Sequence, residues 1–315
     1  MKLISIIFSF RNEEKNLTEL VNRVTQTLTK ISDWKYELIF VNDNSTDNSE
    51  EILLNLINKH PITLINMSRR FGVSACVLAG FKHAKGDAII YMDSDLQDPP
   101  ELIKDLINKH DKGADIVHTV RTKRLGESKI KLLVTSLAYR IINFFSDIPL
   151  PINAGDYKLI SRRALNKILE LKEFRPYIRG LSIWVGYDQD YVYYIRDARN
   201  HGKSQFPNLF SSGPVNEFIT GLTAYSIKPL YVGIILGFFS ILISVILVAY
   251  TFYAKFNNIT VPGSAGIIIT ISFFSGVILL SQGIIGLYVA RIFEQVRGRS
   301  RYIIKNIKNS EKEKT

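Results

Sequence analysis

The sequence predicts an α/β domain on a mostly parallel sheet, followed by two apolar helices long enough to cross a membrane. Short apolar runs alternate with helical patterns over residues 1 to about 120, as in βαβ units. Polar residues follow the predicted strands, at the end where open α/β sheets bind ligands. Residues 229–254 and 256–290 carry no charged side chain, and each run exceeds the roughly 20 residues that span a bilayer.

The first 120 residues contain five predicted strands and four predicted helices. The helices carry apolar residues at three- and four-residue spacing, and Asp47 or Asn48 is expected to cap the second of them. The predicted strands are Leu3–Phe10, Tyr36–Asn42, Ile62–Met67, Ala88–Met92 and Ile116–Val120. The predicted helices are Glu13–Ile31, a helix that carries Ile52–Ile57, Val73–Ala84 and Pro100–His110.

Composition limits the partners and the compartment. A formal net charge of +11 in 315 residues implies an anionic partner: nucleic acid, a membrane surface or a phosphorylated substrate. The single cysteine, Cys76, excludes an intrachain disulfide and fits a reducing compartment. The five histidines have no metal-ligand partner at helical spacing, so zinc is not expected.

An acidic loop follows the fourth predicted strand and contains Asp93, Asp95, Gln97 and Asp98. Carboxylates at positions i and i+2 after a strand can converge on one hard cation, which completes its shell with phosphate and water. An acidic turn that caps the next helix is an equally good interpretation of Asp-x-Asp alone. All five predicted strands are followed by polar residues at the same edge of the sheet, and two of these ends are acidic and two are basic. This arrangement favours a site for a metal-bound nucleotide diphosphate. The sequence has no Gly-x-Gly-x-x-Gly or Walker motif, so neither a dinucleotide site nor a P-loop is expected.

Four segments together resemble the family-2 glycosyltransferases of GT-A fold. They are Asn12–Glu13, Val41–Asp47, Ser68–Gly72 and Met92–Glu101, the last reading Met-Asp-Ser-Asp-Leu-Gln-Asp-Pro-Pro-Glu. The most similar branch contains dolichyl-phosphate mannose synthases and bacterial polyprenyl-phosphate (bactoprenol) glucosyltransferases. The resemblance implies a Rossmann-like nucleotide-sugar-binding domain, with Asp93 and Asp95, joined by Gln97, holding Mg²⁺ or Mn²⁺. It implies this nucleotide-sugar-binding set: Ser9, Arg11, Glu13, Asp43, Arg69, Ser94, Arg199 and Lys203. Ser9 and Arg11 stand where the family usually has Pro and Tyr.

Residues 121–147 alternate basic and apolar side chains in a helical pattern. The helix either packs on the sheet with a solvated basic side or lies in a membrane interface, and the two interpretations are compatible. By the resemblance, Arg121 and Lys131, together with Arg124, bind the phosphate of the acceptor. Asp156 by spacing is a turn residue, whereas in the family it lies near the reacting centre. Because a phosphate acceptor is already anionic, we expect Asp156 mainly to position the acceptor or shape the electrostatics rather than act as a general base.

The two apolar runs are interpreted as a transmembrane hairpin, with a buried helical hairpin as the alternative. Basic residues on the outer flanks, against one lysine in the connecting loop, predict a cytoplasmic catalytic domain and C-terminus in the inner membrane. The predicted segments are a GT-A domain (1–210), an interfacial linker (211–228), two membrane helices (229–291) and a basic cytoplasmic tail (292–315). Residues 297–315 are expected to be disordered or bound to the lipid surface.

The resemblance implies transfer of glucose from UDP-glucose to undecaprenyl or another polyprenyl phosphate, with inversion, for cell-envelope glycosylation. UDP-N-acetylglucosamine and GDP-mannose are alternative donors. A hydroxyl acceptor is a further alternative, although the Gln-x-x-Arg-Trp motif is absent from the sequence. A membrane scaffold that binds a nucleotide sugar without turnover is the non-enzymatic alternative. Nucleic acid is not expected as a partner, and a homo-oligomer remains open.

Overall fold

The computed structural model describes residues 1–124, 129–151, 153–174, 176–197, 211–257 and 263–310. The chain divides into two compact units. Unit 1 contains residues 1–144, 148–221 and 299–315, and unit 2 contains residues 145–147 and 222–298. The free thiol of Cys76 is buried in unit 1, on the third helix.

Unit 1 is built on an eight-stranded mixed sheet. Its strands are β1 (Lys2–Phe10), β2 (Trp34–Asn42), β3 (Ile62–Met67), β4 (Ala88–Asp93), β5 (Ile116–Arg124), β6 (Ala154–Ser161), β7 (Gln189–Arg196) and β8 (Ile304–Asn309). Their order in space is β7-β5-β6-β4-β1-β2-β3-β8. Strand β6 runs antiparallel to both β4 and β5, and β8 runs antiparallel to β3. The other six strands therefore end at one edge of the sheet, which we call the rim.

Helices accompany this sheet, and several of them pack against its strands. They are α1 (Leu17–Leu28), α2 (Ser49–Ile57), α3 (Val73–His83), α4 (Ile103–Asp111), α5 (Lys129–Phe145), α6 (Arg162–Glu170), α7 (Ile178–Trp184) and α8 (Ser212–Ala224), whose last residues belong, like Phe145, to unit 2. Pro100 opens a 3-10 turn before α4. The five predicted strands and four predicted helices are confirmed within a few residues. The insertion of β6 between β4 and β5 was not predicted, because strand order depends on pairing between distant segments.

The expectation of a disordered or lipid-bound tail is wrong for residues 304–309, which form the edge strand β8. A row of asparagines crosses three neighbouring strands: Asn42 Nδ2 donates to Asn66 Oδ1 (2.9 Å), and Asn66 Nδ2 donates to Asn306 Oδ1 (2.8 Å). Lys308 lies 3.6 Å from Glu50 on α2. Lysines suit an exposed edge strand, but in the sequence they give this segment the composition of a solvated tail.

Unit 2 contains two long helices, α9 (Lys228–Phe256) and α10 (Gly263–Val296), that pack along each other as a hairpin. Gly233 on α9 lies close to Ser281 on α10, and a Cβ added to this glycine would make ordinary van der Waals contact with Ser281 at 3.4 Å. Among the described residues, these are the two helices long and apolar enough to cross a membrane, and neither apolar stretch is buried. The predicted class, an α/β sheet domain with a C-terminal apolar hairpin, is confirmed.

Candidate active site

The acidic loop after β4 is held against the end of β1. Backbone register aligns Ser9 with Asp93 on the adjacent strand. Ser94 Oγ donates to the carbonyl oxygen of Ser9 (3.1 Å). Tyr91 Oη donates to Asp93 Oδ1 (3.1 Å) and lies 3.3 Å from Ser9 Oγ. Ser9 and Ser94 thus fix the base of the loop.

Leu96 reverses the direction of this loop. Its φ angle is +58°, a left-handed conformation that a branched side chain seldom adopts. The side chain is buried in the core, and this burial offsets the backbone cost. This left-handed residue lies between Asp95 and Gln97 in the loop.

Asp93 and Asp95 crowd negative charge at the rim. Burial, together with the charges of Asp95, Asp98 and Asp156, raises the pKa of Asp93 well above its usual range. A divalent cation would relieve this repulsion, and carboxylate oxygens are the ligands that Mg²⁺ and Mn²⁺ favour. Within the described ranges, no group of three or more His, Cys, Asp or Glu side chains surrounds one metal position. Two carboxylates fit a cation that completes its shell with an amide oxygen, water and phosphate.

Gln97 is brought to the same loop. Its backbone N–H donates to Asp95 Oδ1 (3.2 Å), and its side-chain Nε2 donates to the carbonyl oxygen of Asp197 (3.3 Å). The Asp197 N–H in turn donates to the carbonyl oxygen of Gln97 (3.1 Å). These bonds tie the acidic loop to the end of β7, and Oε1 is the atom of Gln97 that could serve a cation.

Asp98 is buried and binds arginines. Arg196 Nε donates to Asp98 Oδ1 (3.0 Å), Tyr194 Oη donates to the same oxygen, and Arg121 Nη2 donates to Oδ2 (3.3 Å). Arg121 also lies against the backbone of Gly155, where an added Cβ would be 2.9 Å from Nη2. The structure therefore places Arg121, a predicted acceptor-phosphate residue, inside the charge network beside the residue that precedes Asp156.

Asp156 on β6 forms a two-point ion pair with Arg179 on α7. Arg179 Nε donates to Oδ1 (3.2 Å) and Nη2 donates to Oδ2 (2.6 Å). Burial favours the neutral acid, but the positive charges of Arg179, Lys158 and Arg121 lower the pKa of Asp156 to about 2. A carboxylate with so low a pKa is a poor proton acceptor near neutral pH.

Asp43, at the end of β2, organises the loop after β3. Its Oδ1 accepts a hydrogen bond from the N–H of Phe71 (2.6 Å), and its Oδ2 accepts one from the N–H of Gly72 (3.0 Å). Gly72 has φ +94°, which a glycine adopts without strain. The guanidinium of Arg69 lies 4.0 Å from the ring centroid of Phe71. Asp43 thus fixes the loop that contains Phe71 and Gly72, and Arg69 packs on the same loop.

Glu13 and Arg11 line the rim after β1. Glu13 is buried; Asn16 Nδ2 donates to its Oε2 (2.5 Å), and its own N–H donates to Ser49 Oγ (3.0 Å). Arg11 Nε is buried and has no hydrogen-bond partner. A buried guanidinium N–H without a partner is costly, and an anionic or carbonyl group of a bound nucleotide would satisfy it.

Four of the predicted site residues, or their side chains, lie outside the described part of the chain. Arg199 and Lys203 lie outside the described residues, and the side chains of Arg124 and Lys131 are also outside them. Sequence reasoning missed Arg179 and Arg196. Arg196 ends β7 at the rim, so the rule that picked out the other strand ends could have found it. Arg179 lies on a helix and meets Asp156 only in the folded chain.

Residues 5–169, more than half of the chain, match the glycosyl transferase family 2. The chain belongs to this family. The motif-based resemblance is thereby confirmed, and the mixed sheet of unit 1 is its GT-A fold. An uncharacterized glycosyltransferase of Bacillus subtilis, YkcC, is 37% identical over 95% of this family member and 92% of its own length. A prophage-derived bactoprenol glucosyl transferase of Shigella flexneri is 33% identical over 96% of this chain and 97% of its own length.

Among solved structures, residues 1–349 of Staphylococcus aureus TarS align with a TM-score of 0.44 and 20% identity. The alignment covers 62% of this family member and 60% of that chain.

Proposed function

We propose that this protein is a membrane-bound glycosyltransferase that moves glucose from UDP-glucose to a polyprenyl phosphate, using Mg²⁺ or Mn²⁺. The observation that carries the proposal is the charge network at the rim. It joins two carboxylates suited to a cation, Asp93 and Asp95, to the Asp156–Arg179 pair, and the charge of Asp156 contributes to the raised pKa of Asp93. Cation, diphosphate and an anionic acceptor could therefore meet within one network.

The proposed reaction is a single displacement. An oxygen of the lipid phosphate attacks the anomeric carbon, the bond between that carbon and the diphosphate oxygen breaks, and UDP leaves with the electron pair. The configuration at the anomeric carbon is inverted, so the sugar becomes β-linked. A bound divalent cation would neutralise the charge on the diphosphate, and Asp93, Asp95 and Gln97 would hold it.

The remaining charged groups would orient the two anionic reactants. Arg196 adds a positive charge beside Asp93 and Asp95, and Arg121, which lies against Gly155, would bind the acceptor phosphate. No proton has to leave the acceptor, because its phosphate is already ionised near neutral pH. The low pKa of Asp156 agrees with a role in orienting Arg179 and the acceptor rather than in taking a proton.

Exposed apolar surface supports the membrane part of the proposal. Most large side chains of α9 and α10 are exposed, and α5 also exposes Leu133, Leu137 and Phe144. The chain leaves unit 1 before α9 and returns to it as β8, so both ends of the hairpin would lie on one side of a bilayer. Flanking cations favour the cytoplasmic side of the inner membrane. In this proposal residues 1–210 form the cytoplasmic domain, 211–228 the linker, 229–291 the spans and 292–315 the returning segment.

The relatives support the choice of acceptor and sugar. Several proteins about 30–33% identical over nearly the whole chain are named bactoprenol glucosyl transferases. Bactoprenol is a polyprenyl lipid, and a chain with a membrane hairpin is suited to reach it.

The test is to incubate the purified full-length protein with undecaprenyl phosphate and a panel of labelled nucleotide sugars. UDP-glucose, UDP-N-acetylglucosamine and GDP-mannose are supplied separately, with Mn²⁺ or with EDTA, and the lipid product is identified by mass spectrometry. We expect a glucosyl phosphate lipid from UDP-glucose with Mn²⁺ and none with EDTA. A different sugar on the lipid would correct the donor. Transfer only to a hydroxyl acceptor, or nucleotide binding without transfer, would overturn the proposal.

A further inference from the structure

The acidic loop contains a third carboxylate whose role differs from that of Asp93 and Asp95. The side chain of Asp98 is fully buried, and both of its oxygens accept hydrogen bonds from Arg121, Tyr194 and Arg196. Such a carboxylate is committed to its arginine partners and is not offered to a cation. In the proposed site Asp93 and Asp95 would therefore bind the cation, whereas Asp98 binds guanidinium groups.

Arg196 lies between these two kinds of carboxylate. Its Nε is 3.0 Å from Asp98 Oδ1, while its Nη2 is 3.8 Å from Asp93 Oδ2 and 4.0 Å from Asp95 Oδ2. The last two distances are about 1 Å longer than a charge-assisted hydrogen bond. Because the guanidinium of Arg196 carries a positive charge, it would turn to the nearest remaining anions if a neutral side chain replaced Asp98. Those anions are Asp93 and Asp95.

We propose that Asp98 is a positioning residue that keeps Arg196 at the edge of the metal site. In this position the guanidinium does not close onto Asp93 and Asp95, so it does not compete with a divalent cation for these two carboxylates. Its positive charge nevertheless remains beside them, where a diphosphate would bind. The inference rests on the proposed function only for the statement that Asp93 and Asp95 bind the cation.

The test is a double-mutant cycle read by Mn²⁺ affinity, measured on the full-length protein with UDP by the electron paramagnetic resonance signal of free Mn²⁺. The variants are Asp98→Asn, Arg196→Gln and the double variant. We expect Asp98→Asn to weaken Mn²⁺ binding about tenfold or more in the wild-type background. In the Arg196→Gln background the same substitution should change affinity less than about threefold, because the competing guanidinium is gone.

A role of Asp98 through its own charge, or through the fold alone, would give an equal loss in both backgrounds and would overturn the inference. So would wild-type affinity in the Asp98→Asn variant. If that variant does not fold, the comparison of the double variant with Arg196→Gln decides: affinities within about threefold support the inference, and a tenfold loss refutes it.

Two further variants distinguish failure of this inference from failure of the proposed function. Asp105→Asn, an exposed carboxylate on α4, is the matched control and should bind Mn²⁺ as the wild type does. Asp93→Asn should lose Mn²⁺ binding. If the wild type fails to bind Mn²⁺, or Asp93→Asn binds it equally well, the metal site of the proposed function is wrong and this inference falls with it. Wild-type binding with equal losses in the two backgrounds removes the inference alone.

Discussion

The sheet of unit 1 and the hairpin of unit 2 use the same apolar side chains in opposite ways. Ile90 on β4 is 0% exposed, whereas Ile241 on α9 is 67% exposed. In the sheet of unit 1 the protein itself covers the apolar side chains of the central strands, and polar side chains follow these strands at the rim. In unit 2 the hairpin covers little of its own surface, and in the proposed function lipid covers the rest. In the proposed function, the chemistry therefore belongs to unit 1 and the membrane-spanning segments belong to unit 2.

The largest expected effect tests whether chemistry belongs to unit 1 alone. Asp95→Asn removes one anionic oxygen from the cation position, and we expect glucose transfer to fall at least about 10³-fold because the diphosphate loses its counter-charge. The measurement is the rate of lipid glucosylation, combined with the fraction of protein that sediments with membranes. That fraction should not change.

The control for this prediction is Asp105→Asn, which should retain both transfer and sedimentation. Transfer within a few-fold of wild type in the Asp95→Asn variant would contradict the cation site. Loss of membrane association in that variant would contradict the separation of the two units.

A matched pair of substitutions tests the comparison directly. Ile90→Ala should lower the free energy of unfolding of the sheet domain by about 2–5 kcal/mol, because it leaves a cavity in a packed core. Ile241→Ala should lower it by less than about 1 kcal/mol, because its side chain touches little protein. Both are measured by denaturant unfolding of the full-length protein in detergent micelles. Equal losses would mean that a partner not seen in this structure covers α9.

A smaller effect concerns the pH dependence of stability, which a buried histidine of unit 1 should change. His118 on β5 is buried, and burial together with the charge of Lys158 lowers its pKa to about 3. The unfolded chain takes up this proton near pH 6.5, so below that pH the unfolded state binds more protons than the folded state. Stability therefore falls as the pH is lowered from 6.5 toward 3.

The His118→Gln variant should lack this component. Between pH 6.5 and pH 5 the wild type should lose about 2 kcal/mol more than the variant, at about 1.4 kcal/mol per pH unit. Denaturant unfolding at a series of pH values measures the difference. Parallel curves for the two proteins would indicate that His118 has the same pKa in the folded and the unfolded chain.

Much of the fold could be predicted because local pattern and tertiary position agree there. The alternation of strands and helices up to β5 was readable, since each strand of the parallel core is a short apolar run. Strand β8 was missed because Lys305 and Lys308 give it the composition of a tail, and its pairing with β3 joins residues about 240 positions apart. The position of β6 between β4 and β5 was also missed, because its pairing likewise joins segments that are far apart in the chain.

The candidate site also has a part that could be predicted from the sequence and a part that could not. The motif after β4 and the polar strand ends identified the rim and the acidic residues, because strand ends are local features. The pairing of Arg179 with Asp156, and that of Asp98 with Arg121 and Arg196, could not be predicted, because a sequence motif does not say which distant residues become partners. The motif alone also left Asp98 beside Asp93 and Asp95 as one more acid of the cluster.

The sequence by itself determined the family, the order of strands and helices in the first domain, the rim on which charge collects and the two long apolar helices. These follow from composition, periodicity and motif, which short stretches of chain carry on their own. Only the tertiary structure decided which acid of the loop binds arginine, how residues 304–309 pair with the sheet, and which charges lower the pKa of Asp156. Each of these depends on charges and hydrogen bonds between residues far apart in the chain, and their energies exist only once folding has brought the partners within a few ångströms.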